Sequence, residues 1–147
     1  MDSNSSARHD TAFIADRMCF ACGPDNPVGL KLTFHQEGDV YVTTFVADRV
    51  YQGYECVVHG GIMVTLLDEV MARYVWEKAG PAATARLEVS FRRPAPTGQR
   101  LEIRGWITGI RRGGRVYETA ALARLEDGTV LAEATGLVLV LSGRTGG

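Results

Sequence analysis

The sequence predicts an α+β domain in which one long helix packs on a largely antiparallel sheet. Residues from about 60 to 79 form the single stretch with sustained helical periodicity. Two strand-like runs precede it and four follow, the last of them separated by short glycine-bearing turns. Strands joined mostly by hairpins around one helix, rather than alternating strand and helix units, favour an antiparallel sheet with the helix on one face.

The first ten residues, MDSNSSARHD, are polar and lack the apolar stretch of a secretory signal, so residues 1–12 are expected to be a disordered leader. Residues 13–147 are then a single domain, since 147 residues suit one core. An opening segment rich in turn formers, CFACGPDNP, leads to GLKLTFHQEGD and VYVTTFVADRV, two strand candidates separated by Glu37-Gly38-Asp39. In the second, Val40, Val42, Thr44 and Val46 share one face while Tyr41, Thr43 and Phe45 share the other. YQGYECVV reads as a loop. The helix ends at Gly80-Pro81, because glycine takes a left-handed cap and proline cannot continue the hydrogen-bond ladder. TARLEVSFRR, RLEIRGWITGI, RVYETAALARL and TVLAEATGLVLVL then carry period-two patterns. Arg112-Gly113-Gly114 and Asp127-Gly128 between them are hairpin signals.

A formal net charge of −1 supplies no global field to recruit nucleic acid or an anionic membrane. The apolar runs are far shorter than the roughly 18–20 residues of a bilayer span. Three cysteines, an odd number, suit a reducing compartment, and the chain is expected to be cytoplasmic. Cys19-x-x-Cys22 and Cys56-x-x-His59 form a C-x2-C…C-x2-H pattern, but the middle gap of 33 residues is long for zinc. Small buried thiols are the expectation, with no metal.

The segment HGGIMVTLLDEV carries the chemistry. At about 100° per residue, Val75, Val64, Met71, Leu67, Tyr74, Met63 and Val70 fill one apolar arc. Asp68 lies at its edge beside Gly61 and Ala72, where small residues cut the surface into a groove. A carboxylate there needs a partner or a task. Glu69 lies further round and can reach Arg73 at i+4. His59-Gly60-Gly61 opens the helix, where unpaired N–H groups seat an oxygen that becomes anionic and glycines let a ligand approach. Asp68 is about 12 Å of helical rise beyond Gly60, too far for one small reacting group to meet both easily within one chain.

These residues resemble the hotdog-fold acyl-CoA thioesterases, in particular the phenylacetyl-CoA and 4-hydroxybenzoyl-CoA thioesterase-like branch. HGGIMVTLLDEVM at 59–71 and FRRPAPTG at 91–98 carry the resemblance, which runs from about Cys19 to Leu141. It implies a curved antiparallel sheet wrapped around a central helix, and an active site between two subunits of a homodimer, which often pairs again into a tetramer. It implies Asp68 as general base or nucleophile, the Gly60 N–H as oxyanion donor, His59 as a residue shaping that turn, and Thr84 as a hydroxyl supplied by the second subunit. Gly61, Gln52, Glu69, Arg92 and Arg93 are the residues expected around the acyl-CoA substrate. Some relatives carry Asn or Gln six residues before the histidine; here that place holds Gly53, with Gln52 beside it as the substitute. No cofactor is implied beyond the coenzyme A of the substrate. Two other functions fit the same residues: a non-catalytic acyl-CoA or aromatic-ligand binding protein, and a hotdog dehydratase or hydratase.

Overall fold

A computed structural model describes residues 16–141, so the expected leader lies outside the described residues. The strands are β1 (His35–Glu37), β2 (Val40–Val46), β3 (Ala82–Phe91), β4 (Arg100–Arg111), β5 (Val116–Leu125) and β6 (Val130–Val140). The helix α1 spans Gly60–Ala79, and a short 3-10 turn at Arg49–Tyr51 precedes it. The strands form one sheet in the order β1-β2-β4-β5-β6-β3, antiparallel at every pairing.

Each element forms where the sequence places it, with one exception. The run from Gly29 to Asp39 pairs only over His35–Glu37. Leu30 N–H instead donates to Phe20 C=O and Leu32 N–H to Ala21 C=O, both at 2.9 Å. Those bonds tie the segment to the CFACG loop, and Leu30 and Leu32 are buried there. Backbone groups already satisfied by a loop cannot also extend a sheet. The β4–β5 turn follows expectation: Arg112 and Gly113 both take positive φ, 53° and 65°, the conformation short hairpin turns need.

The core lies between α1 and the concave face of the sheet. Leu66, Leu67, Val70, Met71 and Val75 of the helix meet Phe45, Leu101, Ile103, Leu131 and Val138 of the strands, all buried. Leu66 extends the apolar arc beyond the residues expected from the helical wheel. Gly105 sets how close the helix can lie, since a Cβ there would sit 2.9 Å from Val70 Cγ1 and 3.3 Å from Val70 C=O. The buried hydroxyls are satisfied locally: Thr43 Oγ1 donates to Thr33 C=O at 2.7 Å and Thr119 Oγ1 to Gly136 C=O at 3.1 Å. No helix among the described residues is long and apolar enough to cross a membrane.

The two edges of the sheet differ. β1 is three residues long, whereas β3 presents ten residues whose outer side has no strand partner among the described residues. A long open edge of this kind is a template for pairing with another chain.

Candidate active site

The helix begins at a loop junction held by backbone bonds. Val58 N–H donates to Ala95 C=O at 2.8 Å, and Thr97 N–H to Cys56 C=O at 3.1 Å. These clamp the loop before α1 to the Arg92–Thr97 loop after β3. A cavity of about 590 Å³ lies between them, bordered by Gly53, His59, Gly60, Met63, Phe91, Arg92 and Arg93.

His59 is the N-cap of α1. Its Nδ1 accepts from Gly61 N–H at 2.9 Å, and its C=O accepts from Ile62 and Met63 N–H at 3.0 and 3.1 Å. Of the first four amides of the helix, 60 to 63, three are thereby satisfied. The Gly60 N–H has no partner among the described residues, and it borders the cavity. An unpaired amide at the positive end of a helix is a seat for a developing anion. The other substrate-side expectations divide. Arg92 and Arg93 line the cavity, although Arg92 Nε also pairs with Glu133 at 3.3 Å. The Gly61 amide is used by His59.

Gln52 does not border this cavity. Its Oε1 accepts from Cys56 N–H at 3.2 Å, which supports a loop residue with positive φ. Gly53 is the residue at the cavity wall, where a Cβ would lie 3.4 Å from His59 Cα and 3.5 Å from its Cδ2. Glu69 is also turned elsewhere. Arg73 pairs at i+4 with Glu77, at 3.4 Å, not with Glu69. The Glu69 carboxylate instead meets Cys19 and Cys22 on the opening loop. Burial pushes its acidity below that of an ordinary carboxyl, and the nearby Asp68 charge adds to the shift. Burial, together with Cys19 and Glu69, pushes the Cys22 thiol up to about 12. The C-x2-C…C-x2-H quartet is not assembled, because Cys56 is exposed and lies outside this group.

Asp68 sits at mid-helix, half-buried, and accepts a 2.7 Å hydrogen bond from Thr84 Oγ1. Thr84 is at the bulge of β3, where the register shifts between Thr84 and Arg86. The hydroxyl expected from a second subunit therefore reaches the carboxylate within one chain. Asp68 and Thr84 do not border the cavity at Gly60. One chain thus holds two candidate half-sites, an amide without a partner among the described residues at the start of α1 and a carboxylate–hydroxyl pair two turns along it.

One long helix packed on a curved six-stranded antiparallel sheet is the hotdog fold. The chain belongs to the thioesterase superfamily, whose family model matches residues 56–132, more than half of its length. It is similar to the acyl-coenzyme A thioesterase THEM4 of Bos taurus, with 24% identity over 130 residues, 87% of this chain and 53% of that protein. The chain thus spans about half the length of this curated relative. The crystal structure of a thioesterase superfamily protein matches at TM-score 0.77 and 26% identity, covering 94% of this chain and 75% of that one. A mutant of the phenylacetic acid degradation protein PaaI from Thermus thermophilus matches at TM-score 0.68 and 25% identity, covering 76% and 95%.

Proposed function

We propose that the chain is an acyl-CoA thioesterase that works as a homodimer, hydrolysing a thioester to free acid and CoA. The observation that carries this is the Gly60 amide, left without a partner among the described residues at the helix start and opening on an apolar cavity. The thioester oxygen sits on that amide, which is strongest when the oxygen is most negative. A single donor used in this way contributes about 2.7–4 kcal/mol to the barrier reduction. His59 holds the turn by capping Gly61, and Arg92 and Arg93 face the phosphates of CoA at the mouth of the cavity.

The carboxylate for the reaction comes from the partner's α1, because the two half-sites of one chain are separated along the helix. Asp68 takes a proton from water as the water oxygen attacks the carbonyl carbon, and returns it to the departing CoA sulfur. In the alternative route Asp68 attacks the carbonyl itself, and water then cleaves the mixed anhydride. In a single turnover in labelled water, label found in Asp68 identifies the second route, with water attacking the Asp68 carbonyl of the anhydride. Thr84 fixes the orientation of the carboxylate in either case.

The test is free-thiol release from a panel of acyl-CoAs, wild type beside Asp68→Asn. Release that falls about 10²-fold or more in the variant is expected. Equal release from both proteins removes Asp68 from the reaction, and none from either sinks the hydrolase assignment. Gly53 favours the second function, ligand binding without turnover, since it leaves the place of the relatives' amide side chain without a polar group. Acyl-CoA binding by wild type with no thiol release would establish that function instead.

A further inference from the structure

The opening loop and the helix meet at a second group of reactive side chains, unrelated to the cavity. Cys19 and Cys22 lie on the loop, and Glu69 on α1, one residue after Asp68. Their two sulfurs and a carboxylate oxygen all lie within 4.8 Å of one another, and all three residues are half-buried. In tetrahedral zinc coordination, bonds of about 2.3 Å to sulfur and 2.0 Å to oxygen place neighbouring ligand atoms roughly 3.5–3.8 Å apart. Side-chain adjustments of about 1 Å bring the present group to that spacing.

Hydrogen-bond donors stand beside both sulfurs. Cys22 N–H points at Cys19 Sγ at 3.5 Å, and Arg73 Nη1 donates to Cys22 Sγ at 3.2 Å. Each sulfur therefore has its own donor, the support that metal-bound sulfurs receive from surrounding groups. The turn that presents them is fixed by Gly23, where a Cβ would lie 2.4 Å from both Arg17 C=O and Cys19 N. Gly23 N–H closes the turn on Cys19 C=O at 2.8 Å.

We propose that Cys19, Cys22 and Glu69 bind a zinc ion, with water in the fourth position and Arg73 supporting Cys22. Two sulfurs select a soft or borderline ion over magnesium or calcium. A disulfide between Cys19 and Cys22 is the competing state, but it makes no use of the Glu69 carboxylate or the Arg73 bond. The ion joins the 16–32 segment to the turn of α1 that carries Asp68. It holds that part of the helix in place rather than taking part in hydrolysis.

The experiment is elemental analysis of the chain purified without metal-chelate chromatography, followed by cobalt exchange. About one zinc per chain is expected, with near-ultraviolet thiolate-to-cobalt absorption and the intense visible bands of a tetrahedral site after exchange. Glu69→Gln and Arg73→Met should each weaken zinc affinity about 10–100-fold, and Cys56→Ser should leave it unchanged. A reduced wild-type chain that binds neither zinc nor cobalt overturns the proposal. So does a chain about two daltons lighter, with Cys19 and Cys22 joined and no metal. Metal content and affinity unchanged in both Glu69→Gln and Cys22→Ser also overturn it. The cobalt spectrum is read on wild type, so a variant that fails to fold does not remove the test.

Discussion

Thr84 Oγ1 donates a 2.7 Å hydrogen bond to Asp68 Oδ1 within a single chain, joining the bulge of β3 to the middle of α1. The bond occupies one carboxylate oxygen and leaves the other for water or substrate. Thr84→Val removes the donor at nearly constant volume. A hydrogen bond to a charged group contributes about 1.5–3 kcal/mol, less where solvent can replace it. The expected outcome is a fall in kcat of about tenfold with KM little changed, and recovery in Thr84→Ser. Steady-state kinetics on the three proteins measures this; a KM effect alone would place Thr84 in substrate binding instead.

His59 caps the helix through Nδ1, so its replacement separates a capping role from a catalytic one. Loss of an N-cap side chain costs about 1 kcal/mol, and for a chain of this size that lowers Tm by roughly 2–4 °C. His59→Ala should show this drop. His59→Asn, which can accept from the same amide, should restore both Tm and thiol release to near wild type. An Asn variant that is stable but inactive would give the imidazole a direct part in the reaction.

The elements of the fold were legible because each rests on local pattern. Gly80-Pro81 stops the helix, period-two alternation marks β3 to β6, and Arg112-Gly113 supplies the positive φ angles of a hairpin. The failures come from contacts that periodicity does not report, whether made nearby or across long sequence separations. The strand expected over 29–39 is shortened because Leu30 and Leu32 bond to the CFACG loop. Glu69 looks like half of an Arg73 pair on a helical wheel, yet its neighbours are cysteines about fifty residues earlier. Gln52 looks free to face substrate, but its amide oxygen is held by Cys56 N–H. Spacing placed Gly60 and Asp68 correctly on the helix, while the origin of the Thr84 hydroxyl depended on a bulge that periodicity does not reveal.

Gly105 marks the closest approach of helix and sheet. A methyl group there meets Val70 Cγ1 at 2.9 Å and the Val70 backbone at 3.3 Å, so Gly105→Ala must push α1 outward. Overpacking of this kind costs about 1–3 kcal/mol. The expected result is a Tm lower by roughly 3–10 °C. Because Asp68 lies on the same helix, thiol release should fall as well, beyond what loss of folded protein explains. A thermal melt with activity measured well below the transition checks both; an unchanged Tm would mean that the sheet yields rather than the helix.

Gly53 offers a gain rather than a loss. It borders the cavity beside His59, its φ is not in the left-handed region, and a Cβ there meets His59 at ordinary contact distances of 3.4 Å and more. The Gly53 N–H bond to Val57 C=O, at 2.8 Å, involves the backbone alone and survives substitution. Gly53→Asn therefore fits and reduces the freedom of the unfolded chain, a stabilisation of about 0.4–1 kcal/mol. The added amide can hydrogen-bond the attacking water or the thioester oxygen beside Gly60. One neutral hydrogen bond formed mainly in the transition state corresponds to about a tenfold rise in kcat/KM. Kinetics on the best acyl-CoA of the panel, with a melt in parallel, tests this. Higher Tm without faster release would mean that water is already positioned by Thr84 and Asp68, and that the cavity wall at Gly53 serves only to admit the acyl group.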